Sequence, residues 1–130
     1  MPADEPAQIA QLYCEAFNAR DLDAILALYD ADALLTRPGR EVRGLESIRE
    51  AFVGTLATTT IVRLTLVGVT EDRNGDISLG ISRWSVERKR KDGVIAASTA
   101  TTLEVSRRQA DGAWKIIIDD PIALNWTEAK

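Results

Sequence analysis

The sequence predicts an α+β fold in which three N-terminal helices pack on a strongly curved antiparallel sheet. Three observations carry this. Apolar residues recur at helical spacing through the first part of the chain. From Thr58 onward β-branched residues dominate. Three turn signals, Asn74-Gly75, Asp92-Gly93 and Asp111-Gly112, then divide the remainder at hairpin spacing. Helices over a curled sheet make a cone, a shape that often encloses one apolar pocket.

The elements follow in order. Ile9, Leu12, Tyr13, Ala16 and Phe17 lie on one helical face, and Asn18-Ala19-Arg20 ends that helix. Asp21 has the right chemistry to cap a second helix, because its carboxylate accepts the unpaired N–H groups of a first turn. Leu22, Ile25, Leu26 and Tyr29 form the apolar stripe of that helix. Ala33–Thr36 reads as a short strand stopped by Pro38-Gly39, and Glu41-Val42-Arg43 as a second. Gly44 opens a third helix with Leu45, Ile48, Phe52 and Leu56 on one side.

Four long strands are expected at about Thr60–Asp72, Asp76–Arg90, Val94–Arg108 and Ala113–Asp119. Asn74-Gly75 suits a type I′ turn, whose two central residues need positive φ. Ile77, Leu79 and Ile81 share one face, and the apolar phase then moves to Trp84 and Val86. A strict period of two forbids that without a bulge or bend, expected near Ser82–Arg83. The last strand is apolar on both faces, with Trp114, Ile116 and Ile118 opposed to Ile117. One face packs on helices. The other needs cover, which predicts a homodimer through the outer face of the sheet.

Composition narrows the function. A chain of 130 residues, 45% hydrophobic, suffices for one domain with its own core, spanning 1–130. A net charge of −4 argues against general nucleic-acid binding. No membrane-length apolar run or signal peptide is visible. Cys14 is the single cysteine, so no internal disulfide forms, and a reducing, cytoplasmic location is the natural reading. There is no histidine. That excludes histidine-dependent nucleophiles, histidine bases and histidine metal sites, leaving Asp, Glu, Tyr, Lys or water for acid–base work. No ligand spacing suggests a metal, and no glycine pattern suggests a nucleotide cofactor. Glu87-Arg88-Lys89-Arg90-Lys91 is a basic run beside a hairpin tip. It reads as a charged strand end that blocks edge pairing, with a nucleic-acid patch as the other reading.

The run from Tyr13 through Ala16-Phe17-Asn18-Ala19-Arg20-Asp21-Leu22-Asp23 to Ala27-Leu28-Tyr29, with Val42-Arg43-Gly44 and Asp111-Gly112-x-Trp114-Lys115-Ile116, resembles the nuclear-transport-factor-2-like superfamily. That superfamily includes ketosteroid isomerases and SnoaL-like polyketide cyclases, and the SnoaL-like branch looks most similar. The resemblance covers nearly the whole chain. It implies the cone fold and a small apolar ligand in an internal pocket, but it does not fix the activity.

Residue by residue, Tyr13 stands where the isomerases keep a tyrosine that donates to the substrate oxygen; otherwise it is a core tyrosine satisfied locally. Where those enzymes place a basic aspartate before a proline, this chain has Arg37 before Pro38, and a guanidinium is no base. Their second acid falls near Thr101. Steroid isomerisation by that mechanism is therefore not expected.

Arg37 can instead hold an anionic group, with Arg83 beside it should the face of Ile77, Leu79 and Ile81 be the inner one; the other reading has each reaching water. Asp119, at the expected mouth, is a candidate general base or a solvated strand end. Epoxide hydrolases of the superfamily place an aspartate similarly, with a second carboxylate and an intervening arginine on another strand, and no such set is evident here. Trp84 and Trp114 line a pocket or belong to core or interface. Trp126 is read as clamping the tail. The candidate catalytic residues are thus Tyr13, Arg37 and Asp119, and the candidate ligand-binding residues Arg83, Trp84 and Thr101. The implied function is isomerase- or cyclase-type chemistry on a compact apolar carbonyl or carboxylate compound. The alternative is a non-catalytic ligand-binding or protein-association dimer.

Overall fold

The computed structural model describes residues 2–37, 40–57 and 60–121. Pro38-Gly39 and Trp126 lie outside them. The elements run α1 (Gln8–Asn18), α2 (Leu22–Leu26), β1 (Tyr29–Arg37), β2 (Arg40–Arg43), α3 (Leu45–Ala57), β3 (Ile61–Asn74), β4 (Ile77–Lys89), β5 (Ile95–Arg108) and β6 (Trp114–Asp120). Three helices pack on one six-stranded sheet of order β2-β1-β6-β5-β4-β3. The sheet is antiparallel except where β1 runs parallel to β6. The core lies between helices and sheet, built on Phe17, Ile25, Tyr29, Leu35, Ile48 and Ile116.

Asp21 caps α2 as its chemistry requires, its carboxylate accepting from Ala24 N at 3.1 Å. The second helix is shorter than its apolar stripe suggests. Tyr29 is not its last turn but the first residue of β1, buried and facing the core. A buried tyrosine satisfies either assignment, because helix and strand periods coincide at a single residue.

α1 is fastened to the open edge of β3 by side chains. Asn18 donates to Leu64 O and accepts from Leu64 N, both at 2.8 Å, in the place of a neighbouring strand. Cys14 lies buried beside this pair, its Sγ 3.4 Å from Leu64 O. Arg20 adopts φ +56°, a conformation that ordinarily favours glycine. Its side chain offsets the strain: the guanidinium donates to Ile61 O at 2.5 Å and lies 5.0 Å from the centre of the Phe17 ring.

The hairpins depart from the type I′ expectation. Asn74 still pairs with Ile77, so the first loop is Gly75-Asp76, with positive φ at Gly75 alone. That is the pattern of a type II′ turn, with glycine first. At the other two, the glycine closes a three-residue loop: Gly93 N donates to Arg90 O and Gly112 N to Gln109 O, with φ +84° and +88°.

The expected bulge in β4 is displaced onto its neighbour. β4 pairs with β5 in unbroken register from Ile77↔Arg107 to Lys89↔Ile95, while the extra residue is Val67 of β3, opposite Arg83 and Trp84. The period of two therefore never breaks along β4. What changes is which face is apolar: Ser78 and Ser82 point inward at 1% exposure, whereas Ile77 and Leu79 point outward at 38%. β3 carries another extra residue at Val62, and a further bulge, at Ile117, reverses parity along β6. Ile116 faces Ser106, Ile118 faces Val105, and Asp119 is thereby turned inward opposite Glu104.

Candidate functional site

Beneath the helices lies a cavity of about 340 Å³, within the range of small-molecule sites. Most of its wall is apolar, from Phe17, Leu35, Phe52, Leu64, Trp84 and Val86. Polar groups reach it from six elements: Tyr13 from α1, Arg37 from β1, Thr55 from α3, Arg88 from β4, Thr102 and Glu104 from β5, and Asp119 from β6.

Asp119 is buried, and Tyr29 donates its hydroxyl to Asp119 Oδ2 at 2.5 Å. Burial pushes the Asp119 carboxyl up to about 6, partly offset by that hydrogen bond and by the Arg37 charge. Glu104 lies across the β5–β6 ladder from it. Its Oε1 accepts from Thr102 at 2.7 Å and its Oε2 from Ser82 at 3.3 Å. Burial, then the neighbouring Asp119 charge, pushes Glu104 up to about 7. Both carboxyls are thus held above the ordinary carboxylate range, Glu104 the higher of the two. Such a pair presents one ionised base and one acid that still holds a proton for part of the time.

Tyr13 stands among rings, its centroid 6.1 Å from Phe52 and 5.9 Å from Trp84 in edge-on contacts. Burial and the Asp119 charge raise its hydroxyl far above the ordinary tyrosine range, so it stays a proton donor. It has no hydrogen-bond partner among the described residues. Arg37 makes no ion pair within 4 Å among them either, and its buried Nε has no partner there. A buried donor left open at a cavity wall suits an oxygen of a bound molecule. Trp84 is both core and wall: its Nε1 donates to Thr102 Oγ1 at 3.0 Å, which in turn donates to Glu104.

Of the residues expected at the site, the structure thus brings together Tyr13, Arg37, Asp119 and Trp84. Arg83 and Thr101 are not among them. They face one another across β4 and β5 on the outward register, and Arg83 is exposed. The reason is parity: Trp84 and Ala100 point in, so their neighbours point out. Trp114 is buried outside the pocket, under the Arg73 guanidinium at 5.0 Å.

A sequence model of the SnoaL-like domain matches residues 10–115. The chain belongs to the SnoaL-like domain family. No curated protein matches it. A ketosteroid isomerase-like protein from Erwinia carotovora atroseptica is 24% identical, covering 85% of this chain and 87% of its own, with a TM-score of 0.69. A nuclear-transport-factor-2-like protein with a cystatin-like fold from Novosphingobium aromaticivorans is 17% identical, covering 89% of this chain and 77% of its own, with a TM-score of 0.75. A structure from Catenulispora acidiphila in complex with S-DNPA is 17% identical, covering 86% and 85%, with a TM-score of 0.71. At these identities the likeness is one of fold.

For this SnoaL-like chain, the residue that sequence reasoning passes over is Glu104. The signal was available. Closing the Asp92-Gly93 hairpin on Arg90 and Val94 pairs Trp84 with Ala100, and two further inward steps along β5 reach Thr102 and Glu104. A second carboxylate therefore stands beside Asp119, across the β5–β6 ladder.

Proposed function

We infer that this SnoaL-like protein is an enzyme performing acid–base chemistry on a compact, largely apolar compound that carries a carbonyl or carboxylate oxygen. One observation carries the reading: two adjoining carboxyls, Asp119 and Glu104, and a tyrosine hydroxyl with no hydrogen-bond partner among the described residues line a largely apolar cavity. In this reading Asp119, steadied through Oδ2 by Tyr29, removes a proton next to the substrate carbonyl. Tyr13 donates to the enolate oxygen as charge develops there. Arg37 offsets the negative charge, and Glu104 delivers a proton to the product. No cofactor is needed for such a transfer.

The protein works as a homodimer. Support comes from an apolar row on the outer face, Leu79, Val105 and Ile118 in register, flanked by Ile77, Ile81 and Leu103. The location is cytoplasmic, a reading supported by the lone buried thiol of Cys14. No helix among the described residues is long and apolar enough to cross a membrane.

The test is a thermal-shift screen against small carboxylates, steroids and aromatic polyketide-like compounds, repeated with Arg37→Ala and Tyr13→Phe. A hit is then assayed for exchange of its α-protons in heavy water by NMR. The enzyme reading expects a rise in Tm for one class that is lost in either variant, and exchange that Asp119→Asn abolishes. Binding without exchange moves the conclusion to a ligand-binding dimer, and no binding in any class to an association module.

A further inference from the structure

The inner face of β4 carries Ser78, Gly80 and Ser82, where a strand facing a core ordinarily carries large apolar residues. The start of α1 accordingly does not close on the sheet. A second cavity, of about 20 Å³, remains between Pro6, Ile9 and Ala10 on one side and the strands on the other. Its strand side mixes Val69 and Gly80 with the polar side chains of Ser78, Ser82, Ser106, Glu71 and Glu104. That volume exceeds the roughly 10–15 Å³ one water needs, and the walls supply the polar partners a buried water requires.

Glu104 lines both cavities. It is the partition between the substrate pocket and this rear chamber. Glu71 lies on the chamber's far side. Its Oε2 accepts from Ser78 at 2.6 Å, and its Oε1 accepts from Arg73 at 3.2 Å. The Glu71 side chain is 23% exposed, so it communicates with solvent.

We propose that Glu104 exchanges its proton with solvent from behind, through one water in the rear chamber and the carboxyl of Glu71, while a ligand fills the pocket in front. The step balances simply. The Glu104 carboxyl gives its proton to the chamber water, the water passes one to the Glu71 carboxylate, and solvent takes it from there; uptake by Glu104 runs along the same path in reverse. Charged and titratable groups on the pocket side of Glu104 are Asp119 from β6, Tyr13 from α1, Tyr29 and Arg37 from β1, and Arg88 from β4. Those facing the chamber side are Glu71 and its partner Arg73 from β3. The route serves turnover because a ligand in the front pocket covers the approach of bulk water to Glu104 from that side. The proposal rests on Glu104 as a titrating member of the pocket pair. Its test reads that proton without substrate, so it can fail while the exchange assay succeeds, and the reverse.

The experiment is time-resolved infrared spectroscopy after a pH jump across neutrality, with the Glu104 carboxyl band assigned by its loss in Glu104→Gln. Ala100→Trp fills the front pocket from β5. Gly80→Val fills the chamber from β4; a Cβ there meets Glu104 Oε2 at 3.6 Å, an ordinary contact, so the γ-methyls take the chamber space. Glu71→Gln removes the relay carboxyl. With the front filled, Glu104 protonation is expected to keep its rate within about twofold. Adding either rear change is expected to slow it about tenfold or more. An unchanged rate in both doubly altered proteins overturns the proposal. Should the filled variants not fold, a high-resolution crystal structure of the unaltered protein decides: a water hydrogen-bonded to Glu104 in the chamber supports the route, and an empty chamber overturns it.

Discussion

The two faces of β4 are dressed in reverse. Its inward positions hold Ser78, Gly80 and Ser82 before Trp84, and its outward positions hold Ile77, Leu79 and Ile81 before Arg83. A sheet packed on helices normally buries its apolar face and wets its polar one. Here, over the first half of the strand, hydroxyls are buried and branched aliphatics are exposed. Buried polar groups carry a desolvation cost unless they have partners. These have them: Ser78 donates to Glu71 and Ser82 to Glu104. The inner face thus gives up core packing to hold carboxylates beside a cavity, and the outer face retains apolar surface. The comparison teaches that an inverted face is where to look for chemistry on one side and a partner on the other.

The strongest challenge to this contrast comes from two consecutive residues on β4. Trp84 is buried against Tyr13, and Arg83 is exposed. Trp84→Ala is expected to cost about 3–5 kcal/mol, from lost contacts and the cavity left behind. Arg83→Ala is expected to stay within about 0.5 kcal/mol. Urea denaturation of both variants measures the difference. Similar costs at the two positions would mean that inside and outside are misassigned along the strand.

How legible the molecule is in its sequence follows the same division. The helices and hairpins announce themselves because their signals are local: a capping aspartate, an apolar stripe, a glycine in a loop. The site is less legible because parity decides it, and parity depends on bulges that no local signal locates. Asp119 faces inward only because Ile117 is an extra residue against β5. Arg83 faces outward because the bulge falls in β3 instead of β4. The aliphatic triplet Ile77, Leu79, Ile81 invites the inference that its side is the core, since burial is the usual fate of such residues. Tyr13, Arg37 and Trp84 were readable as candidates, and Glu104 needed a register count from the hairpin to the middle of β5.

A smaller effect, with a definite sign, sharpens the inner half of the comparison. Glu104 is harder to ionise in the folded chain, about 7 against an ordinary 4.5. Below pH 4.5 both states hold the proton and nothing is lost. As pH rises through that value the unfolded state releases it first, so stability falls until the folded carboxyl also ionises near 7. The full penalty above that point is at most about 3.5 kcal/mol. Glu104→Gln keeps an acceptor for Thr102 and removes the charge. It is expected to stabilise the protein by about 2–3 kcal/mol at pH 8 and by nothing measurable at pH 4. Denaturation curves over this range test it. A gain of equal size at both ends would show that packing, not ionisation, separates the two proteins.

The smallest effect on the stability of the chain, and the most decisive for the outer face, belongs to Leu79→Lys. Leu79 is 38% exposed and lies between Asp72 and Val105 in the ladder, with Ile118 one strand beyond. A lysine there removes little packing within one chain, so a change within about 0.5 kcal/mol is expected for a monomer. Two copies meeting through this face would set two lysines into a shared apolar surface, where unpaired charge is costly. Sedimentation equilibrium is therefore expected to give twice 14.2 kDa for the unaltered protein and 14.2 kDa for the variant. The concentration dependence of Tm should vanish with it. An unaltered protein that is already monomeric would leave the outward aliphatics without the partner argued for them. A variant that remains dimeric would move the contact to another surface and sever the link between the inverted face and assembly.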